Sequence, residues 1–408
     1  MTFRFHASAP PGEWINDPNS LDFHEGRYRL HVQHAADAPE FKRVGWGRST
    51  SHDLLDWRWE GVAIPPDAGG SAYSGSLIVA DGTAEAYLTR HRPDAEPRQV
   101  QVRRALALGA VDSTAIGPAG RNCRDPFLFR CAATDDWRML VAEPCDWEAW
   151  RGEAPSRLAL WRSDDRLRWK PAGAIGPWRP PGVMWEVPVL LDFDDTQVLI
   201  VSEVDRRNGT AACSVRYWPG RLDGAAFTPR AGTPDEGYAL DLGPDFYAAI
   251  PNVDAGWPSG DRVIVGWASS WATARRVAWP ERRGGGPISM PRRVGWDATE
   301  GRLLQRPIAA AMRRRYWSGV LSASFRITVA REAGRLTVTA RSGEVAVRRE
   351  VADLAWAARH RPPPPAGGDA AELFVDGPLL ELFLGPYGVP VTAVLPGDDP
   401  PVVTVEVP

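Results

Sequence analysis

Short apolar runs, each closed by a polar turn and answered by a second run, recur along the first three quarters of the chain. Ser20-Leu21-Asp22-Phe23, a turn at Glu25-Gly26 and Tyr28-Arg29-Leu30-His31-Val32 form one such pair. Tyr73-Ser74-Gly75-Ser76-Leu77-Ile78-Val79, a turn at Asp81-Gly82 and Ala86-Tyr87-Leu88-Thr89 form another. Phe127-Leu128-Phe129, a turn at Thr134-Asp135-Asp136 and Arg138-Met139-Leu140-Val141 repeat the pattern, as do Val189-Leu190-Leu191, Asp194-Asp195 and Val198-Leu199-Ile200-Val201. A fifth pair runs from Asp245-Phe246-Tyr247-Ala248-Ala249-Ile250 to Val263-Ile264-Val265-Gly266-Trp267. The openings at 17, 75, 125, 186 and 245 are 58, 50, 61 and 59 residues apart. That period, with β-branched and aromatic strands between turn signals, predicts one four-stranded sheet per repeat. Ser51-x-Asp53-x-Leu55-x-Trp57 also returns as Ser163-x-Asp165-x-Leu167-x-Trp169, 112 residues later and about two periods on. Long helical periodicity is absent, so the expectation is an all-β chain whose five sheets stand around a channel, a five-bladed β-propeller.

The repeat ends after Leu303-Leu304-Gln305-Arg306-Pro307. Alternating strands then follow at 322–329, 335–339, 372–375, 380–384 and 402–407, with a loop through Pro362–Pro365 and Gly367-Gly368. Period-two alternation in short strands reads as a small C-terminal β-sandwich. The expected division is a propeller over 1–307, a connector over 308–316 and a sandwich over 317–408. Arg313-Arg314-Arg315 is expected to be a solvated part of the connector.

Composition removes several classes of function. Hydrophobic residues make up 44% of the 408 and charged residues 24%, as in ordinary globular domains. A net charge of −3, with basic residues scattered and nearly all arginine, lacks the concentrated footprint of a nucleic-acid binder. No run approaches the ~18 apolar residues that span a bilayer, and no charged-then-apolar leader precedes Trp14. A cytoplasmic protein without membrane or nucleic-acid partners is the expectation, although a chain trimmed of a leader would read the same. Cys123, Cys131, Cys145 and Cys213 show no paired metal spacing and are expected as free thiols. His31 and His34 fall on opposite faces of a strand, so no metal site is expected there. Nineteen tryptophans favour carbohydrate as ligand, because flat indoles stack on the C–H faces of sugar rings.

Three acids open their repeats: Asp17 in Trp14-Ile15-Asn16-Asp17-Pro18-Asn19, Asp125 in Arg124-Asp125-Pro126, and Glu186 in Met184-Trp185-Glu186-Val187-Pro188. Equivalent positions of units in a ring converge on its axis, which would gather the three carboxylates. Gathered carboxylates are expensive unless they do chemistry. Two of them can break a glycosidic bond, one attacking the anomeric carbon while the other protonates the leaving oxygen, about 5–5.5 Å apart in retaining enzymes. Asn16 would orient Asp17. The apolar neighbours of Glu186 would suit it to donate a proton, and Arg124 would hold Asp125 ionised.

These motifs, with Tyr73-Ser74-Gly75-Ser76 and Leu240-Asp241-Leu242-Gly243-Pro244-Asp245-Phe246-Tyr247-Ala248, resemble the ordered signatures of glycoside hydrolase family 32. That family holds invertases, inulinases, levanases and sucrose-6-phosphate hydrolases. The likeness runs from about residue 6 to 307, and Phe374-Val375-Asp376 with Leu380-Glu381-Leu382-Phe383 is similar to the family's C-terminal sandwich. It implies a propeller plus sandwich and retaining hydrolysis of β-fructofuranosides, with no metal or cofactor. On the motif match Asp17 would be nucleophile, Glu186 acid/base and Asp125 transition-state stabiliser. Asn16, Gln33, Trp46, Ser76, Arg124, Tyr247 and Trp267 would line the fructose subsite. Asp245 would either contact substrate or fix a loop. The chain departs from the family at Ser20 (usually Gly), Tyr73 (Phe), Val187 (often Cys) and Arg48 (near a common His). A fructosyltransferase, a related furanosidase acting on arabinose and a non-catalytic sugar-binding propeller share these features and stay open at this point.

Overall fold

The computed structural model describes residues 3–66, 69–80, 82–106, 114–131, 134–143, 155–207, 211–253, 256–322, 324–362, 370–397 and 399–406. Asp81, Cys145, Ala323, Val407 and the 363–368 loop of the sequence reading lie outside them. Five antiparallel sheets, each built on four consecutive strands and the fourth with one short extra strand, follow one another along the chain. The first contains β1 (Trp14–His24), β2 (Arg27–Ala35), β3 (Gly45–Ser51) and β4 (Arg58–Ile64). The second contains β5 (Ser71–Ala80), β6 (Thr83–His91), β7 (Gln99–Ala105) and β8 (Thr114–Gly120). The third is β9 (Arg124–Arg130), β10 (Trp137–Glu143), β11 (Arg157–Ser163) and β12 (Lys170–Ile175). The fourth is β13 (Val183–Phe193), β14 (Thr196–Asp205), β15 (Ala212–Asp223) and β16 (Ala226–Pro229), with the short β17 (Tyr238–Ala239) also paired to β15. The fifth is β18 (Tyr247–Pro251), β19 (Arg262–Trp267), β20 (Arg292–Asp297) and β21 (Arg302–Pro307).

The first strands of successive sheets pack side by side, β1 on β5, β5 on β9, β9 on β13 and β13 on β18, and β18 returns to β1. All five line one cavity of about 460 Å³, through Asn19 and Ser20, Ser76 to Val79, Phe127 to Arg130, Leu190 to Asp192, and Ile250 to Val253. The repeated Ser-x-Asp motif occupies equivalent turns of the first and third sheets. Asp53 Oδ1 accepts from the N–H groups of Leu55 and Asp56, and Asp165 Oδ1 from those of Leu167 and Arg168. In each case the following residue, Leu54 or Arg166, takes the left-handed conformation. The motif is therefore a turn device.

Each first strand carries a bulge near its start. Pairing passes over two residues, against one on the partner strand, between Ile15 and Pro18, Ala72 and Gly75, Arg124 and Phe127, Glu186 and Val189, and Tyr247 and Ile250. A bulge bends the strand and re-aims the side chains it carries. Aligned on this feature, Glu186 is the last paired residue, Asp125 the next position and Asp17 the one after. The three acids are not at equivalent positions of the repeat, as the sequence pattern implied; they are spread over three consecutive positions of the same bulge.

Beyond a short 3-10 helix at Ala309–Arg314, two sheets share one apolar core. The first joins β22 (Arg315–Val320), β27 (Ala370–Asp376), β28 (Leu379–Leu384) and β29 (Val389–Val394). The second joins β23 (Phe325–Arg331), β24 (Gly334–Arg341), β25 (Glu344–Val351), β26 (Trp356–His360) and β30 (Val402–Glu406). The three arginines at the connector are ion-paired rather than merely solvated: Arg313 meets Asp53, Arg314 meets Asp56 and Arg315 meets Glu372.

A buried charge network fastens this unit to the rest. Arg292 donates to Asp241 at 2.8 Å and to Glu381 at 2.9 Å, and its guanidinium lies 4.0 Å from the Phe246 ring centre. Asp241 also accepts from the Thr392 N–H and hydroxyl. Asp245 is held by Thr273, Ser270, the Val394 N–H and Arg349, so its role is loop-fixing. His6 lies fully buried between Asp376 (2.8 Å) and Glu381 (2.7 Å). Burial disfavours its charge, yet the hydrogen bonds and charges of the two carboxylates outweigh that and raise its pKa from 6.5 to about 9.

Because the folded-state value is the higher, this contribution to stability is full below pH 6.5 and is lost as pH rises through 9. We predict that His6→Gln destabilises the protein by about 3 kcal/mol at pH 6, and that the deficit shrinks progressively between pH 6.5 and 9.5. Urea unfolding across that range measures it; a pH-independent gap would show that His6 is neutral in the fold.

Candidate active site

The bulges bring Asp17, Asp125 and Glu186 into one cluster from three different sheets. Each feels the others: the Glu186 charge raises the pKa of both aspartates, and Asp17 raises that of Asp125. Asp17 and Asp125 are buried, at 8% and 5% exposure, whereas the Glu186 side chain keeps 16%.

Asp17 ends a chain of hydrogen bonds. The Trp14 indole donates to Asn16 Oδ1 (2.9 Å), Asn16 Nδ2 to Gln33 Oε1 (2.9 Å), Gln33 Nε2 to Ser74 Oγ (2.5 Å), and Ser74 to Asp17 Oδ2 (2.8 Å). Asp17 Oδ1 is buried and accepts no hydrogen bond. Burial raises its pKa from 3.8 to about 6, opposed by the Ser74 and Asn16 hydrogen bonds and reinforced by Glu186. Ser74 owes its place to the Tyr-Ser-Gly-Ser motif. A Cβ on Gly75 would lie 1.9 Å from the Tyr87 carbonyl oxygen, so the strand can approach β6 there only as glycine.

Arg124 does not hold Asp125 ionised. Neighbouring residues of a strand diverge, and Asp125 has a φ of 60°. The guanidinium turns instead to Glu186, with Nε at 3.0 Å and Nη2 at 2.9 Å from Oε1, and to Met184 Sδ at 3.3 Å. Asp125 Oδ2 accepts from the Val187 N–H at 3.1 Å. Burial raises its pKa to about 7; Arg124 opposes this, and Glu186 and Asp17 add to it. Nor is Glu186 in apolar surroundings, as Trp185 and Val187 suggested. Its second oxygen accepts from the Tyr247 hydroxyl at 2.5 Å. Burial and the Glu186 charge keep the Tyr247 phenol well above its usual pKa, so it remains a donor.

The other expected subsite residues divide. Asn16, Gln33, Arg124 and Tyr247 belong to the cluster. Ser76 does not: its hydroxyl donates to the Pro126 carbonyl (2.8 Å) and accepts from the Leu128 N–H (3.2 Å), one step further along the channel. Trp46 and Trp267 are fully buried and donate to the carbonyls of Tyr73 and Gly285, so they brace the backbone. Aromatics near the acids include the partly exposed Tyr73, which feels the charges of Arg124, Glu186 and Asp125, the partly exposed Trp271, which stacks on Trp14 (centroids 6.2 Å, 16°), and the exposed Phe41, edge-on to Trp271 at 5.2 Å. Sequence reasoning missed Ser74, Phe41 and Trp271. Ser74 was visible within its motif; the two aromatics lie on connecting segments that carry no periodic signal. Among the described residues no group of His, Cys, Asp and Glu is placed to hold a metal ion.

The two aspartates keep their protons longer folded than unfolded, so they weaken the fold as pH rises above about 4. We predict that Asp17→Asn stabilises the protein at pH 8 by up to about 3 kcal/mol, that Asp125→Asn acts in the same direction, and that both gains close as pH falls toward 4. Urea unfolding at the two pH values tests this; equal or lower stability at pH 8 would mean that the buried carboxylates are better compensated than their surroundings indicate.

Residues 6–307 match the family model of the glycosyl hydrolases family 32 N-terminal domain. The chain is 27% identical over 375 residues to the extracellular exo-inulinase of Aspergillus niger, covering 78% of this chain and 66% of that one. It is 28% identical to the levanase of Bacillus subtilis (73% and 46% covered) and 28% identical to the sucrose-6-phosphate hydrolase of Escherichia coli (77% and 66% covered). The chain thus spans less than two thirds of the length of these relatives. Among solved structures, the exo-inulinase of Aspergillus awamori superposes with a TM-score of 0.80 at 23% identity, over 99% of this chain and 94% of that one. Its all-β succession of four-stranded sheets is therefore a known architecture, and the chain belongs to glycoside hydrolase family 32.

Proposed function

We propose that this protein is a retaining β-fructofuranosidase, built as a five-bladed β-propeller over 1–307, a connector over 308–316 and a β-sandwich over 317–408. The observation that carries the reading is the meeting of Asp17, Asp125 and Glu186 in one buried, mutually interacting cluster. The ring of first strands around a common cavity supports the propeller. The inulinase, levanase and sucrose-6-phosphate hydrolase names of the relatives support a fructoside as substrate.

In this scheme Asp17 attacks the anomeric carbon of a terminal fructosyl unit. Its ordinary carboxylate acidity is blunted by burial, but the Ser74 and Asn16 hydrogen bonds keep it ionised above about pH 6. Glu186 is the least buried of the three and sits where a departing sugar would reach solvent; it gives its proton to the leaving oxygen. Once that proton has gone, Arg124 and Tyr247 stabilise the carboxylate that remains, which then takes a proton from the water that releases fructose. Asp125, with a proton affinity near neutrality, both donates to and accepts from fructose hydroxyls as positive charge develops at the ring. Trp271 and Phe41 offer apolar faces to the leaving sugar.

Incubation with sucrose, sucrose 6-phosphate, inulin and levan, following free fructose and the anomer first released, tests the reading. Fructose should appear with retained configuration. Asp17→Asn and Glu186→Gln should each fold and lose activity by at least about 1,000-fold. Sugar binding without product, or near-normal turnover in either variant, would refute the mechanism.

A further inference from the structure

Three side chains that this scheme leaves unused converge on the segment carrying Arg124 and Asp125. The bulge in β9 removes the Asp125 N–H from the ladder, because pairing with β10 passes directly from Arg124 to Phe127. Pro126 has no N–H to offer. A buried backbone donor left unpaired is costly, and the second sheet supplies its partner. Thr89 Oγ1, on β6, accepts from the Asp125 N–H at 3.0 Å and donates to Gln101 Oε1, on β7, at 2.7 Å. Gln101 Nε2 donates to the Cys123 carbonyl at 2.6 Å, and Gln99 Oε1 accepts from the Cys123 N–H at 2.7 Å. All three side chains are buried. Nothing in the packing of an apolar strand calls for two glutamines and a threonine on one inward face.

We infer that Thr89, Gln99 and Gln101 form a clamp that sets the divergence of Arg124 toward Glu186 and of Asp125 toward the Val187 N–H, making them positioning residues for the reaction. The inference rests on the roles proposed above for Glu186 and Asp125. The clamp grips the main chain on both sides of Arg124, at the Cys123 carbonyl and N–H and at the Asp125 N–H. The direction of each charged side chain is thereby fixed from the backbone rather than from its own tip. Without it, the left-handed Asp125 loses the bond that compensates its conformation, and relaxation toward ordinary extended backbone would carry the carboxylate and guanidinium out of line.

The test compares the wild type with Thr89→Val, Gln101→Met and the conservative Thr89→Ser. Folding is checked by circular dichroism, and carboxyl titration by 13C NMR with labelled aspartate. In Thr89→Val and Gln101→Met the Asp125 titration should move from its wild-type position by about half a pH unit or more, while Thr89→Ser leaves it in place. With sucrose, kcat per folded molecule should fall about 100-fold in the first two variants, KM should change less than about threefold, and Thr89→Ser should restore kcat. A lower melting temperature with unchanged titration and unchanged kcat would make the clamp merely structural and overturn the inference. So would failure of both disruptive variants to fold while Thr89→Ser is fully active. If the wild type cleaves no fructoside, the reading of function fails, and the titration still decides whether the clamp sets Asp125.

Discussion

Like charges in a buried space repel one another and lose their hydration, and this constraint governs the structure around Asp17, Asp125 and Glu186. The Arg124 guanidinium lies among the three carboxylates and is committed to Glu186. The aspartates are compensated by neutral donors instead: the Ser74 hydroxyl, the Asn16 amide and the Val187 N–H. Neutral donors stabilise a carboxylate less than an ion pair does, so burial raises both aspartates, Asp17 to about 6 and Asp125 to about 7. A nucleophile paired with arginine would be easier to bury and poorer at attack. On the roles proposed for Asp17 and Asp125, the cluster spends fold stability on reactivity, the usual direction of that exchange at active sites.

Such a cluster can be assembled only if strands that are otherwise apolar present polar side chains at one level of the axis. The five bulges do this. They recur at the same place in every first strand, and in three of them the residue after the last paired one has positive φ: Asp125, Val187 and Ala248. A bulge breaks the two-residue alternation, so residues at successive positions (186, 125 and 17 in the aligned repeat) can reach the same space. It also leaves main-chain donors without ladder partners, and one of these, on Asp125, is satisfied by the second sheet's Thr89.

This explains which parts were legible in the sequence. The five-fold recurrence was plain, because strand alternation and turn residues repeat with a steady period. The acids were plain because each opens a repeat. Their register was not, since a bulge adds a residue without a composition signature, and so Glu186, Asp125 and Asp17 were mistaken for equivalent positions. The same irregularity made Ser76 look like the site serine when Ser74 is the one beside Asp17. Gln99-Val100-Gln101-Val102 did carry a readable sign: two amides on one face of a strand, alternating with valines, must find buried partners. Among the C-terminal strands, β22, β25, β26 and β29 escaped notice. Proline at 390 and the arginine-rich alternation of 344–351 blurred the pattern that marked their neighbours.

The family's last motif, Leu240 to Ala248, shows how the C-terminal unit bears on the site. Asp241 and Asp245 both spend their carboxylates on that unit, through Arg292, Thr392, Arg349 and the Val394 N–H. Gly243 has no room for a side chain, since a Cβ there would stand 2.0 Å from the Thr392 carbonyl oxygen. Two residues beyond Asp245 the same segment delivers Tyr247 to Glu186. The anchoring is rigid because each of its charges is buried and paired, and removing either partner of such a pair leaves an uncompensated charge. The C-terminal sheets thus hold in place the start of β18, and with it the hydroxyl that shares Glu186 with Arg124. Although they contribute no acid of their own to the cluster, they fix one of the two donors that hold Glu186.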